Sequence, residues 1–168
     1  LSYEIARDYL PSPRANYANV YVNDTLWGLY VNVEAINDKF TNKHFATVNS
    51  PLVKCNPLNL NLTSGGENSN LSDTHGNDSS FYYNYYDLKS NSGWADLYTL
   101  IDTLNNHVLN VDNILNVDRS LWMHAFNYTL INFDSYVGYG QNYYLYQGLS
   151  NQFHPILWDL NMSFGGFR

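Results

Sequence analysis

Residues 19–34 form two runs of alternating apolar and polar side chains around a short polar turn. The first run carries Val20 and Val22, and Asn23-Asp24 supplies the turn. The second run alternates again at Leu29, Val31 and Val33. A period of two on both sides of a tight turn predicts a β-hairpin. Gly28 lies inside the second strand, which predicts a bulge or the close approach of another group.

Three segments have the apolar spacing of amphipathic helices. The first ends at Pro11 and has on one face Leu1, Ile5 and Tyr9. The second is marked by Trp94, Leu97, Ile101 and Leu104. The third starts near Asp118, a suitable N-cap residue, and has on one side Leu121, Ala125 and Tyr128.

The segments between these helices predict one long loop and several short strands. Residues 49–80 are rich in Pro, Gly, Asn and Ser, which indicates a loop or an insertion. The aromatic run at 81–89 is typical of a half-buried strand. Two further strands, at 142–147 and 153–158, are joined by a short glycine-containing turn. With these helices and strands, we expect an α+β fold.

The composition argues against several classes of protein. A chain of 168 residues with 45% hydrophobic side chains forms one domain with a sizeable core. The net charge of -7 disfavours a nucleic-acid-binding protein, which needs a basic surface. The single cysteine, Cys55, excludes an internal disulfide, and no apolar run is long enough to span a membrane. Few charges combined with 25 Asn and 16 Tyr suggest an extracellular protein.

Oxygen-bearing side chains converge towards the end of the sequence. The loop after the third helix presents Asn132 and Asp134, and a strand begins at Asn142. The partner strand delivers Asp159 at its end. Because a hairpin returns the chain, we expect Asp159 to lie near the loop that carries Asp134. One or two carboxylates and an amide oxygen suit Mg²⁺, and a second carboxylate can orient a hydroxyl and accept its proton.

Protein kinases have a similar layout, in which a catalytic-loop aspartate, an asparagine and the aspartate of an Asp-Phe-Gly motif follow in this order. The spacing differs here, because seven residues separate Asp134 from Asn142 instead of the four of the kinase motif. The last motif, from Asp159, reads Asp-Leu-Asn-Met-Ser-Phe-Gly. Asp and Asn are also ordinary turn residues, so this pattern alone leaves both interpretations open.

Five segments that follow one another along the chain resemble the CotH kinase family, the spore-coat-protein-H-like atypical kinases. They are VYVNDTLWGLYVNVEAI (20–36), YDLKSN (86–91), GWADLYTLIDTLN (93–105), NFDSYVGYGQNYYLY (132–146) and FHPILWDLNMSFGGF (153–167). Each segment alone is degenerate, but their order is specific and covers nearly the whole chain. The resemblance implies a partial protein-kinase-like two-lobe fold and the use of ATP and Mg²⁺.

The resemblance also implies roles for individual residues. Asp134 matches the catalytic-loop aspartate, and Asn142 is implied as a metal or phosphate ligand. Asp159 matches the metal-binding aspartate of the Asp-Phe-Gly-like motif. Asn161 stands where many members carry a second aspartate, so it implies a weaker second metal ligand. Glu34 ends the second hairpin strand, where it either contacts the nucleotide or only closes the strand.

One departure from the family concerns the groups that bind the phosphates of ATP. The family supplies a phosphate-binding lysine and covering strands ahead of the first helix, and neither precedes Leu1 in this sequence. We therefore expect a fragment of a longer kinase-like protein that transfers phosphate poorly on its own. Residues 1–40 are then the remainder of an N-terminal lobe. Residues 41–168 form a C-terminal lobe with the loop or insertion at 49–80.

The expected function is ATP- and Mg²⁺-dependent phosphorylation of Ser or Thr on a protein substrate. The expected location is extracellular or at the cell surface, as a lipoprotein or a coat-associated protein. An alternative is a catalytically inactive surface, coat or adhesin-type module that uses the same fold to bind a partner. A two-carboxylate hydrolase, in which Asp134 and Asp159 flank a glycosidic bond, is a third candidate.

Overall fold

The computed structural model describes residues 1–63 and 66–166, which fold into an α+β protein. Residues 64 and 65 of the predicted loop, and 167 and 168 at the end of the last motif, lie outside the described residues. The strands form one two-stranded and one four-stranded antiparallel sheet, and helices lie between them in the chain. The α+β class predicted from the sequence is thereby confirmed.

The predicted hairpin consists of β1 (Ala15–Val22) and β2 (Thr25–Val33), paired antiparallel. The turn residues Asn23 and Asp24 both have positive φ. Two such residues form the tight turn that matches the natural twist of paired strands, and Asn and Asp tolerate this conformation better than most residues. Most side chains of the hairpin are exposed on both of its faces.

A β-bulge interrupts this hairpin beside Gly28. Val20 pairs with Gly28 on the opposite strand. The next pair joins Tyr21 to Leu26, which leaves Trp27 as the extra residue. Gly28 has φ +145°, a conformation that L residues rarely adopt. The bulge predicted at this glycine is therefore confirmed.

The helices of the described residues are mostly short, and none of them is long and apolar enough to cross a bilayer. The α-helices are α1 (Ser2–Ala6), α2 (Asp38–Phe45), α3 (Ser79–Tyr82), α4 (Trp94–Asn106), α5 (Val117–Thr129) and α6 (Tyr136–Tyr139). Two 3₁₀ helices span Val108–Asn113 and Leu160–Met162. Helix α4 confirms the helix predicted from its apolar spacing.

The four-stranded sheet is the centre of the fold. Its strands are β3 (Leu52–Cys55), β4 (Tyr86–Leu88), β5 (Tyr143–Gln147) and β6 (Phe153–Leu157). They stand in the order β4-β3-β5-β6, and every neighbouring pair is antiparallel. The two strands predicted near the end of the sequence are thus confirmed as the β5–β6 hairpin.

Alternate residues of β5 pack on opposite faces of this sheet, as the period of a strand requires. Tyr143 and Leu145 belong to the main core, which includes apolar side chains of α4 and α5. Tyr144 and Tyr146 belong to a second core around Phe40 of α2. The sheet is therefore buried on both faces, which holds the ends of β5 and β6 in fixed positions.

The segment 49–89 differs from its prediction. The predicted loop at 49–80 contains β3, whose four residues pair with both β4 and β5. The predicted strand at 81–89 begins instead with the last residues of α3, and only its second half forms β4. Asp78 caps α3 because its side chain accepts a hydrogen bond from the Ser80 backbone N–H at 2.9 Å.

Helices α1 and α5 bury other faces than those predicted. In α1 the buried residues are Tyr3 and Ala6, whereas Leu1, Ile5 and Tyr9 of the predicted stripe are exposed. In α5 the predicted stripe is exposed, and the buried residues are Met123, Phe126 and Asn127. The N-cap of α5 is Asn116, two residues before the predicted Asp118, and its side chain accepts a hydrogen bond from the Arg119 N–H at 2.9 Å.

Candidate functional site

The β5–β6 hairpin carries two of the predicted site residues at the same end. Tyr143 pairs with Leu157, so Asn142 directly precedes this end of β5 and Asp159 follows this end of β6. Asn142 has φ 57° and Asp159 has φ 52°, both in the left-handed region. Asn and Asp adopt this conformation more readily than most residues, so both suit the tight turns at this end of the hairpin. The hairpin therefore brings together two residues that are far apart in the sequence.

Asp134 lies in the loop between α5 and α6 and is only 9% exposed. The Gln141 side-chain amide donates a hydrogen bond to the carboxylate Oδ1 of Asp134. The Asn142 Nδ2 donates to the backbone carbonyl oxygen of Asp134 at 3.0 Å. The two amides thus fasten the Asp134 loop to the start of β5, and the Asn142 Oδ1, which accepts no hydrogen bond among the described residues, can act as an oxygen ligand.

Buried polar contacts support this loop from inside. Asn132 is completely buried, and its Nδ2 donates to the Asn127 Oδ1 at 3.0 Å. The Ser135 hydroxyl donates to the Asn132 backbone carbonyl at 2.6 Å. The Asn132 Oδ1 has no hydrogen-bond partner among the described residues. The hydrogen bonds of this network hold the loop in one conformation. Buried polar groups are normally paired, so the unpaired Asn132 Oδ1 costs stability.

Two backbone hydrogen bonds join the segment after Asp159 to the segment before Asp134. The Phe164 N–H donates to the Leu130 carbonyl, and the Gly165 N–H donates to the Ile131 carbonyl at 3.2 Å. The two acidic loops therefore lie side by side. The predicted proximity of Asp159 to the loop of Asp134 agrees with this placement.

The two carboxylates influence one another electrostatically. Burial raises the pKa of Asp134, and the negative charge of Asp159 raises it further. Hydrogen bonds from the Gln141 and Asn142 amides oppose this rise in pKa. A cation between the two loops would relieve the repulsion between these carboxylates.

The donor set fits Mg²⁺ better than a metal that needs a full set of protein ligands. No cluster of three or more His, Cys, Asp or Glu side chains suited to a metal occurs within 1–63 and 66–166. The loops offer two carboxylates and the amide oxygen of Asn142. Mg²⁺ typically takes one or two carboxylates and completes its octahedron with water and phosphate oxygens.

A cleft of about 370 Å³ opens beside Asp159. It is bordered by the start of α1, by the base of the β1–β2 hairpin and by residues 159–161. Asn161 lies in this border, so the structure places it beside Asp159. Tyr3 of α1 also lies there, and burial raises its pKa to about 12 although hydrogen bonding to the backbone at Leu160 and Asp159 opposes the shift.

Glu34 is placed apart from the other predicted site residues. Its carboxylate accepts a hydrogen bond from the Arg14 backbone N–H at 3.0 Å and lies 4.0 Å from the Lys43 ammonium. It borders a separate cavity at the hairpin base, and Asp159 is not among the residues that border that cavity. The structure therefore assembles Asp134, Asn142, Asp159 and Asn161 in one region but not the Glu34 side chain.

Two contributors to the site were not predicted from the sequence. Gln141 directly precedes Asn142, and this adjacency to a predicted ligand was the only signal for it. Tyr3 lies on a helix whose buried face was assigned to other residues, so its contact with the Asp159 segment could not be predicted.

The fold and the site define an α+β protein in which two acidic loops adjoin and one of them, at Asp159, borders a cleft. The family model described as CotH kinase protein matches residues 1–168, which is the whole chain. The chain therefore belongs to the CotH kinase family, as the resemblance of its motifs indicated. Membership assigns it to a kinase-type family. No curated protein matches it significantly.

Proposed function

We propose that this protein is a CotH-like atypical protein kinase that transfers the γ-phosphoryl group of ATP to Ser or Thr of an extracytoplasmic or coat protein. The observation that carries the proposal is the position of Asp134 and Asp159 on adjoining loops, with Asp159 at the border of a cleft. Family membership supports the reaction class. The low fraction of charged residues, 14%, suits a secreted or surface protein.

We assign the residues of the two loops to separate tasks. Asp159 and Asn142 would hold Mg²⁺, and Asn161 would supply a weaker oxygen ligand. Bound Mg²⁺ would neutralise charge on the phosphate oxygens. In our assignment the nucleotide occupies the cleft beside Asp159, since its volume of about 370 Å³ is in the usual range of ligand sites.

Asp134 is assigned as the residue that receives the acceptor hydroxyl. Its carboxylate orients the Ser or Thr hydroxyl and takes its proton as the hydroxyl oxygen bonds to the γ-phosphorus. The bond between the γ-phosphorus and the bridging oxygen breaks, and ADP leaves with that electron pair. Burial of Asp134 raises its pKa and thus its affinity for the proton.

The lobes of this kinase are also part of the proposal. We assign residues 1–40, with α1 and the β1–β2 hairpin, to the N-terminal lobe. Residues 41–168, with the four-stranded sheet and the two acidic loops, form the C-terminal lobe. The cleft beside Asp159 supports this division, since it lies between α1, the hairpin and residues 159–161.

The test is transfer of labelled phosphate from ATP to protein by the complete encoded protein. Asp134→Asn and Asp159→Asn should each lower the rate roughly 100-fold or more, because each removes a group used in the transfer. Asp118→Asn is the matched control, since this aspartate is exposed at the start of α5. It should retain the parent rate. Undiminished transfer by either site variant would refute the assignment.

One observation favours the alternative of an inactive binding module. Among the described residues that border the Asp159 cleft there is no lysine or arginine to hold the phosphates. The melting temperature separates the alternatives, because a ligand that binds the native state raises it by mass action. ATP with Mg²⁺ should stabilise the parent protein and not Asp159→Asn. Equal melting temperatures with and without nucleotide would favour the inactive module.

A further inference from the structure

A second cavity, of about 510 Å³, lies at the base of the β1–β2 hairpin. It is bordered by Arg7, Arg14, Ala15, Asn16, Asn32 and Glu34. Ala15 and Asn16 also border the cleft beside Asp159, but no residue of the two acidic loops borders this second cavity. We call it the Arg7–Arg14 pocket.

Neither guanidinium of this pocket has an acidic partner among the described residues. The Arg7 Nη1 donates only to the Pro13 backbone carbonyl, at 3.3 Å. Arg14 contacts Glu34 through its backbone N–H and not through its side chain. Both arginines are exposed. Two of the four arginines of an acidic chain therefore border one cavity with no acidic partner among the described residues, and their remaining N–H groups can bind a ligand.

The charge around the pocket is positive although the chain as a whole is acidic. Glu34 is the one acidic residue among the described residues that border the pocket, and the Lys43 ammonium lies 4.0 Å from that carboxylate. Lys43 does not border the pocket but offsets the charge of Glu34, so the two arginines of the border are left as two unbalanced positive charges. The pKa of the nearby His44 is lowered by burial and then by Lys43; Glu34 opposes the shift, and Arg14 and Arg119 add to it.

We propose that the Arg7–Arg14 pocket binds a phosphate monoester, the group carried by a phosphorylated side chain. A phosphate monoester has a charge of roughly -1.5 to -2 at neutral pH, which balances the two uncompensated charges. A carboxylate would balance only one of them. Guanidinium groups bind phosphate oxygens through paired N–H donors, so two arginines at one cavity suit such a ligand.

Asn16 and Asn32, which also border the pocket, add neutral hydrogen-bond donors. The Asn32 Nδ2 donates to the Asn16 Oδ1 at 3.2 Å, and the Asn16 Nδ2, which has no partner among the described residues, can donate to a ligand. The cavity is larger than a bare phosphate ion, so it has room for the group to which the phosphate is attached. This proposal does not depend on phosphate transfer at Asp134 and Asp159.

The test is a titration of O-phosphoserine into the complete encoded protein, followed by calorimetry and by NMR of the arginine side chains. Binding should saturate, and free serine should not bind. Arg7→Gln and Arg14→Gln should each weaken binding roughly tenfold or more, because each removes a charge-assisted hydrogen-bond donor. Lys89→Gln is the matched control, since it removes one positive charge at an exposed site beside Asp87. It should leave the affinity within about twofold.

Two further variants and one competitor sharpen the test. Glu34→Gln removes the one negative charge of the pocket and should strengthen binding several-fold. Arg14→Lys keeps the charge but loses the planar fork, so its affinity should lie between those of the parent and Arg14→Gln. ATP with Mg²⁺ should not compete with O-phosphoserine. Non-saturating titration, equal losses in Arg14→Gln and Lys89→Gln, or competition by ATP would each overturn the proposal.

Inorganic phosphate and a phosphoserine peptide identify the source of the ligand. Equal affinity for inorganic phosphate and O-phosphoserine would support a pocket that holds the anion alone. Tighter binding of the peptide would support a pocket for phosphorylated protein. Thermal unfolding monitored by circular dichroism should give the parent melting temperature for the arginine variants, since both side chains are exposed.

Discussion

The carboxylate of Asp134 is both buried and close to a second negative charge, and each of these disfavours its ionised form. This carboxylate is almost fully buried, and a second carboxylate, Asp159, is close enough to raise its pKa further. A buried charge is costly unless hydrogen bonds or a counterion compensate it. The Gln141 amide provides one such hydrogen bond. The remaining cost is the physical reason to expect a cation or a proton at this carboxylate.

Replacement of Gln141 by leucine should raise the pKa of Asp134 further. The amide N–H of Gln141 stabilises the charged carboxylate, so its removal favours the protonated form. NMR of selectively labelled aspartate carboxyl groups gives the pKa directly. Gln147→Leu is the control, because it removes the same amide at the other end of β5. An unchanged pKa of Asp134 in Gln141→Leu would show that the hydrogen bond has no electrostatic role.

At the scale of single elements, the hairpin and the β5–β6 strands were predictable because their own sequence specifies them. Asn23-Asp24 can adopt the turn without help from the rest of the fold. Strand β3 was not predictable, since its four residues lie among prolines and asparagines and gain their stability from β4 and β5. Strand formation in such a segment is decided by pairing with distant residues.

The helix faces show a second limit of sequence analysis. The predicted face of α5 contained apolar residues, but these are exposed, and the polar Asn127 is buried instead. Asn127 is buried because its side chain accepts the hydrogen bond from Asn132 beneath the acidic loop. A polar residue on the buried face of a helix weakens its apolar pattern in the sequence. Because Asn127 is needed beneath the acidic loop, the buried face of α5 could not be identified from apolar spacing.

Gly28 and Gly93 provide a matched test of backbone strain and packing. Their φ angles, +145° and +146°, are nearly identical and unfavourable for L residues. A Cβ at Gly28 would meet only the Tyr30 ring at 3.6 Å, whereas a Cβ at Gly93 would lie 2.8 Å from the Pro51 Cβ. Gly28→Ala should therefore cost about 1–3 kcal/mol of backbone strain, confined to the hairpin.

Gly93→Ala should cost more, because it adds a collision to the same strain and acts at the N-cap of α4. Chemical denaturation measures the loss of global stability, and amide hydrogen exchange separates it from local opening of the hairpin. Exchange in the four-stranded sheet should increase in Gly93→Ala and not in Gly28→Ala. Equal effects of the two substitutions on this sheet would contradict the packing argument.

The whole molecule is organised around a sheet that is buried on both faces. Its two faces carry separate cores, and the predicted metal and catalytic residues lie at one end of its β5–β6 hairpin. The order of motifs along the chain was sufficient to anticipate which loops meet. The position of the Glu34 side chain could not be anticipated from the sequence. It depends on how the hairpin packs beside α2, a helix that the sequence analysis did not predict.

Burial of histidine in this sheet should make the stability of the whole protein depend on pH. His154 lies in β6, is 8% exposed, and accepts a hydrogen bond from the Arg119 guanidinium through Nδ1 at 2.9 Å. Burial and then the Arg119 charge lower its pKa from 6.5 to about 4. Between these two values the unfolded chain binds a proton that the folded protein excludes.

The contribution of His154 to the unfolding free energy should therefore increase by about 3 kcal/mol between pH 4 and pH 6.5. Acidification through the same range should remove it. His154→Gln keeps an acceptor for Arg119 but cannot titrate. This variant should lower the slope of the unfolding free energy against pH by up to about 1.4 kcal/mol per pH unit, which corresponds to one proton. Urea unfolding of both proteins from pH 4.5 to pH 8 gives the difference directly. Above pH 7 the two slopes should coincide, since His154 is then neutral in both states. Parallel curves across the acidic range would show that His154 does not couple protonation to folding.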